Sequence, residues 1–124
     1  MIKLFRTLVF LLFAGSAFAA EQPFTQEAFE QLQKAGKPTL VSVHADWCPT
    51  CRTQAPIVKS LLEQPPYNQI NALRVDFDQQ KEVVKSFRVL KQSTLIVFKN
   101  GEEVGRSLGD TTPQGIEALL KKAL

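Results

Sequence analysis

An α/β sandwich built on a mixed β-sheet is the fold class that three features of this chain predict. Short apolar runs of strand character alternate with segments whose apolar residues recur at helical spacing. Residues that start and stop helices stand where those patterns change: Thr25, Gly36, Pro65-Pro66, Thr112 and Pro113. Between the last two strand-like runs lies Asn100-Gly101, a pair that tolerates positive φ and so marks a tight hairpin.

Each element follows in order. Residues 1–19 read as a secretory leader rather than part of the fold. Lys3 and Arg6 form a basic start, Leu8 to Ala14 an unbroken apolar run, and Ala17-Phe18-Ala19 a small-x-small cleavage site. The uncharged stretch from Thr7 to Ala20 is 14 residues, short of the roughly 18–20 that a spanning helix needs. A leader is therefore favoured over a retained anchor, and no cysteine lies near the cut to carry a lipid. The domain proper is then 20–124.

Within it, Thr25 caps a helix carrying Phe29 and Leu32, which Gly36 closes. Pro38 to Ala45 is a strand, with Leu40, Val41 and Val43 as its β-compatible residues. A helix runs from the cysteine pair towards Gln64; Pro56 should kink it by removing an N–H and crowding the preceding turn. Pro65-Pro66 ends it. Ala72 to Phe77 reads as a second core strand, and residues 79–88 as a helix burying Val83, Val84 and Phe87. Thr94 to Lys99 and Glu103 to Leu108 flank the Asn100-Gly101 turn. Thr112 then caps a last helix with Pro113 at its first position, burying Ile116, Leu119 and Leu120.

Charge says little about partners. The chain has 15 basic and 12 acidic residues, and losing Lys3 and Arg6 with the leader leaves 13 against 12. Neither nucleic acid nor an anionic membrane is implied. No repeat or linker divides the domain.

The chemistry sits in Cys48-Pro49-Thr50-Cys51, which holds both cysteines of the chain and follows Trp47 directly. Two sulfurs so spaced at a helix start can cycle between dithiol and disulfide. The helix N–H groups and macrodipole favour the thiolate of the first cysteine. Two blander roles compete. A structural disulfide closing so short a loop would restrain little chain entropy. A tetrahedral zinc wants four ligands, and the chain offers two cysteines and one histidine. Redox exchange is favoured, and export to an oxidising compartment allows the disulfide to form.

Ala45-Asp46-Trp47-Cys48-Pro49-Thr50-Cys51-Arg52 at a strand-to-helix junction, Pro56 five residues on, Val75-Asp76-Phe77-Asp78, Phe98-Lys99-Asn100-Gly101 and Gly109 together closely resemble the thioredoxin family. The resemblance runs from about residue 25 to the C-terminus. It implies a thioredoxin-like fold with helices on both faces of the sheet. It also implies an exposed attacking thiolate at Cys48, a more buried resolving thiol at Cys51, and Trp47 flanking the site together with Pro49 and Thr50.

Two positions depart from the family pattern. Thioredoxins usually place an acid six residues before the first cysteine, buried beneath the site, where it helps the resolving thiol lose its proton; here that residue is Ser42. A hydroxyl is no base near neutral pH. His44, two residues on and so on the same strand face, is a candidate for proton transfer, imidazole having an ordinary pKa near 6.5. Its competing role is packing in place of a tryptophan. Ser93 stands where the family has a cis-proline, and Gln92 before it would be the backbone that pairs with a bound client. A cis bond before serine costs roughly 3–4 kcal/mol, so a trans 92–93 bond or a remodelled loop is expected. The uncovered N–H and hydroxyl could hydrogen-bond a thiolate or open room for a metal ion.

The expected function is an exported thiol–disulfide oxidoreductase, periplasmic if the source is Gram-negative, acting on client proteins with disulfides. Pro49-Thr50 brings no cation between the sulfurs, which inclines it to a reductase or electron relay fed by a membrane electron donor. Arg52 adds some favourable charge, but a solvated helix face is its more ordinary place. A monomer is expected, with neither cofactor nor resident metal. The alternatives are a soft-metal carrier using the two thiolates and an adaptor with vestigial cysteines.

Overall fold

The computed structural model describes residues 21–124; the expected leader lies outside them. The elements run β1 (Gln22–Pro23), α1 (Gln26–Lys34), β2 (Thr39–His44), α2 (Pro49–Leu62), a 3-10 turn (Tyr67–Gln69), β3 (Asn71–Asp76), α3 (Lys81–Ser86), β4 (Thr94–Lys99), β5 (Glu102–Leu108) and α4 (Pro113–Lys121). The sheet order is β1-β3-β2-β4-β5. β1 and β3, and β3 and β2, pair in parallel, whereas β4 runs antiparallel to both β2 and β5. The mixed sheet expected from the sequence is therefore present.

Local chemistry explains where the helices begin. Thr25 and Thr112 hydroxyls accept from the N–H groups of Ala28 and Gly115, and Pro113 opens α4. Asn100 and Gly101 both hold positive φ, 52° and 79°, which turns β4 tightly into β5. Pro56 lies inside α2 as expected.

Three details differ from the sequence expectation. β1 is new: two residues, one of them proline, carry no alternation that a pattern could register. α2 ends at Leu62, two residues short of Gln64, and a 3-10 turn follows Pro65-Pro66. α3 spans six residues rather than ten. Its expected first turn is taken up by Asp76, whose Oδ1 accepts from the N–H groups of Asp78 and Gln79, and its end is closed by Arg88 at φ 54°.

The central strands are buried on both faces, and β2 is buried from Thr39 to Val43 although Thr39 and Ser42 are polar. On one face, Leu40, Leu95 and Val97 pack against Val58 and Leu62 of α2 and Ile116, Leu119 and Leu120 of α4. On the other, Val41, Val43, Val75 and Ile96 meet Val84 of α3 and a cluster of phenylalanines reaching to α1. Helices thus cover both faces. The cysteine pair stands where β2 hands over to α2.

Candidate active site

β2 ends at His44, and a turn returns the Cys48 N–H to the Ala45 carbonyl at 3.1 Å. Cys48 is the N-cap of α2, with extended backbone (φ −82°, ψ 115°), and Pro49 supplies the preset first helical residue. The Cys48 sulfur does the work of a capping oxygen: the Cys51 N–H donates to it at 3.2 Å. One orphan helix donor is thereby aimed at Sγ, as stabilisation of a thiolate requires.

Ser93 meets the pair from β4's N-terminal side. Its Oγ lies 3.3 Å from Cys48 Sγ and 2.9 Å from Cys51 Sγ. The one cis peptide among the described residues precedes Pro66, so the 92–93 bond is trans, and Ser93 sits at φ 64°. Its N–H donates to the Val43 carbonyl at 2.8 Å, a bond that proline could not make. Its carbonyl accepts from the Gly109 N–H and from Gln54 Nε2, which also reaches the Asp110 carbonyl at 2.9 Å. Backbone and helix α2 together fix the serine hydroxyl between two free thiols.

Burial pushes the Cys48 thiol up, but hydrogen bonds from the Cys51 side chain, Ser93, the Cys51 N–H and Gln92 outweigh it, bringing the pKa from the ordinary 9.0 to about 7. Burial, and then the neighbouring Cys48, push Cys51 the other way, above 9.0. A hydroxyl has one proton to give and lone pairs to receive. With Cys48 as thiolate, the Ser93 hydroxyl donates to Cys48 Sγ, and its lone pairs face Cys51 Sγ. The arrangement separates the two sulfurs into an anion and a thiol near neutral pH.

Residues 20–122 match the thioredoxin family model. The chain belongs to the thioredoxin family. It is 30% identical to the thioredoxin of Alicyclobacillus acidocaldarius over 85% of this chain and 99% of that one. Bacillus subtilis thioredoxin is 28% identical over 86% and 95% respectively. Among solved structures, Trxlp from Edwardsiella tarda EIB202 superposes with a TM-score of 0.79 and 42% identity, covering 82% of this chain and 98% of that chain. The protein is accordingly a thiol–disulfide oxidoreductase with a Cys48–Cys51 pair, and thioredoxins act on disulfide-bearing proteins.

Against the family pattern, one implied feature needs correction: Cys48 is not exposed. It is 3% exposed, against 1% for Cys51. The sulfur turns inward because its partners, Ser93 Oγ and the Cys51 N–H, lie inside. Trp47 is 58% exposed, and its indole N–H donates to Asp78 at 2.7 Å, fixing the ring beside the site. Pro49 is exposed, while Thr50 and Gln92 are half-buried. His44 lies near the strand end, but its Nε2 faces Asp46 at 2.9 Å, and no hydrogen bond joins it to either sulfur among the described residues. Among the described residues no group of three or more His, Cys, Asp or Glu is placed to hold a metal ion.

Two residues with clear contacts were not picked out from the sequence. Gln54 had a usable signal: it is a polar residue three positions after Cys51, on the helix face that also carries Val58 and Leu62. Glu21 had none, because it reaches Ser42 and Arg74 only through the packing of β1 against β3.

Proposed function

We propose that this thioredoxin-family protein is exported and reduces, or relays electrons to, disulfide-bearing client proteins outside the cytoplasm. Cys48 attacks one sulfur of a client disulfide, a mixed disulfide forms, and Cys51 displaces the reduced client. Two electrons pass from the dithiol to the client, and the pair ends as the Cys48–Cys51 disulfide. Trp47, Pro49 and Thr50 border the sulfurs as client surface, and the Gln92 backbone pairs with the client as an added strand. A membrane protein passing cytosolic reducing power outward would regenerate the dithiol of a monomeric carrier. Export rests on the basic start, apolar run and Ala17-Phe18-Ala19 of the leader.

One feature of the site supports this direction of electron flow. The Cys48 pKa of about 7 reflects hydrogen bonds from neutral groups, with no cation between the sulfurs. A first-cysteine pKa of roughly 7 goes with reducing pairs, whereas about 3.5 goes with strong oxidants. Equilibration of the pair in glutathione buffers tests this. A potential near about −270 mV supports a reductase or relay, and one near about −120 mV would make the protein an oxidant.

A further inference from the structure

Ser42 occupies the place beneath the cysteines where a proton-accepting carboxylate would be useful, and it is a hydroxyl. The structure nevertheless puts a carboxylate there, from a different part of the chain. Glu21, immediately before β1, turns its side chain onto the α2 face of the sheet, where Ser42 Oγ donates to its Oε2 at 3.0 Å. Arg74, the register partner of Ser42 on β3, donates to the same oxygen at 2.6 Å. The Glu21 side chain is 11% exposed. Among the described residues both bonds land on Oε2, and Oε1 takes none.

Below Cys51 lies a cavity of about 10 Å³ whose walls include Glu21, Ser42, Cys51, Gln54 and Arg74. That is at the threshold for a single water with polar neighbours. The carboxylate and the resolving thiol therefore share one small, polar enclosure.

We infer that Glu21 is the proton acceptor for Cys51 in the resolving step, a carboxylate delivered by the segment before β1 in place of one on β2. This rests on the exchange mechanism proposed above. The Cys51 S–H proton passes to a Glu21 carboxylate oxygen, by way of one water in the cavity or the Ser42 hydroxyl. The Cys51 thiolate then attacks the Cys48 sulfur of the mixed disulfide. A Cys48–Cys51 bond forms, and the electron pair of the broken bond leaves on the client as its thiolate. Arg74, donating to Oε2, keeps the Glu21 carboxylate aimed between turnovers. His44 also borders the cavity, and Arg52, Lys59, Asp46 and Asp76 rim the open groove beyond it, so these groups set the field that Glu21 feels.

Glu21→Gln keeps the shape and loses the base. Oxidised glutathione serves as the probe, with acid quenching and mass spectrometry counting the protein that carries one glutathione on Cys48. The first step, formation of the adduct, should keep its rate. Its decay to the internal disulfide should slow on the order of 100-fold, the lower end of what a placed general base contributes. The rise of that decay with pH should move to more alkaline values. Ser42→Asp on the Glu21→Gln background, which returns a carboxylate to the cavity, should recover the second step. The inference is overturned if Glu21→Gln resolves the adduct at the native rate with the native pH profile. A second overturning result is a slowed second step that Ser42→Asp fails to recover while the first step stays native. Failure of the wild-type protein to form or resolve the adduct would sink the exchange mechanism itself.

Discussion

The two faces of the sheet satisfy their buried polar side chains in opposite ways. Under α1 and α3, Phe24, Phe29, Phe87 and Phe98 form a connected cluster with centroids 5.1–6.0 Å apart. The buried hydroxyls on that side, Thr39 and Thr94, bond close along the chain, to the carbonyls of Lys37 and Lys91. Under α2 and α4 the packing is mainly aliphatic, with Tyr67 as the buried aromatic, and the polar bonds reach far: Ser42 to Glu21, Gln54 to Asp110, and Ser93 to both sulfurs. Local polar bonds survive in fragments of structure, whereas distant ones exist only when the fold is complete. One face therefore chiefly stabilises the domain, and the other converts its stability into the state of two thiols.

The largest expected effect lies on the aromatic face. Phe98→Ala removes a ring that is 7% exposed and packs edge-on against Phe29 at 5.1 Å. It should cost about 3–5 kcal/mol in urea unfolding. The pH midpoint for alkylation of Cys48 should stay at about 7. A shifted midpoint in a folded variant would break the division between the faces.

Gln54→Leu probes the other face at an intermediate scale. Gln54 is 4% exposed, and its amide holds the carbonyls of Ser93 and Asp110. Leucine keeps the bulk but leaves the Asp110 carbonyl short of a donor, at about 1–3 kcal/mol. The Ser93 loop loses its tie to α2, so the Cys48 midpoint should rise as well. A loss of stability with an unmoved midpoint would reduce Gln54 to a packing residue.

How much of this was legible in the sequence follows the same division. Caps at Thr25 and Thr112, the Asn100-Gly101 turn and the apolar runs are local signals, and the structure honours them. The cysteine pair was legible because a two-residue spacing at a helix start fixes the chemistry without tertiary information. The inward turn of Cys48 was not, since it depends on a hydroxyl 45 residues away. Ser42 looked like a bare loss of an acid, because the carboxylate that meets it lies 21 residues earlier on a segment with no strand pattern. α3 came out short because Asp76 spends its carboxylate on the preceding turn, a competition that apolar periodicity does not register.

Ser93→Ala is the smallest change in stability and the sharpest test of what the α2 face is for. Among the described residues the hydroxyl bonds only to the two sulfurs, so its removal should cost about 1 kcal/mol or less. Alanine also keeps the N–H that donates to Val43. The chemical effect is larger. Burial already works against the Cys48 thiolate, and Ser93 is among the hydrogen bonds that overcome it. Without it the alkylation midpoint should climb from about 7 towards the ordinary 9.0, and each unit of climb removes roughly tenfold of the thiolate well below the midpoint. The sign carries over to stability. A thiol whose pKa falls on folding leaves the native state with fewer bound protons between about 7 and 9.0, so its stabilisation is present above that window and lost as pH falls through about 7. Urea unfolding of the wild type followed from pH 9 down to pH 6 should show that loss, and Ser93→Ala should flatten it. Parallel curves for the two proteins would mean that Ser93 fills space beside the sulfurs without holding their charge.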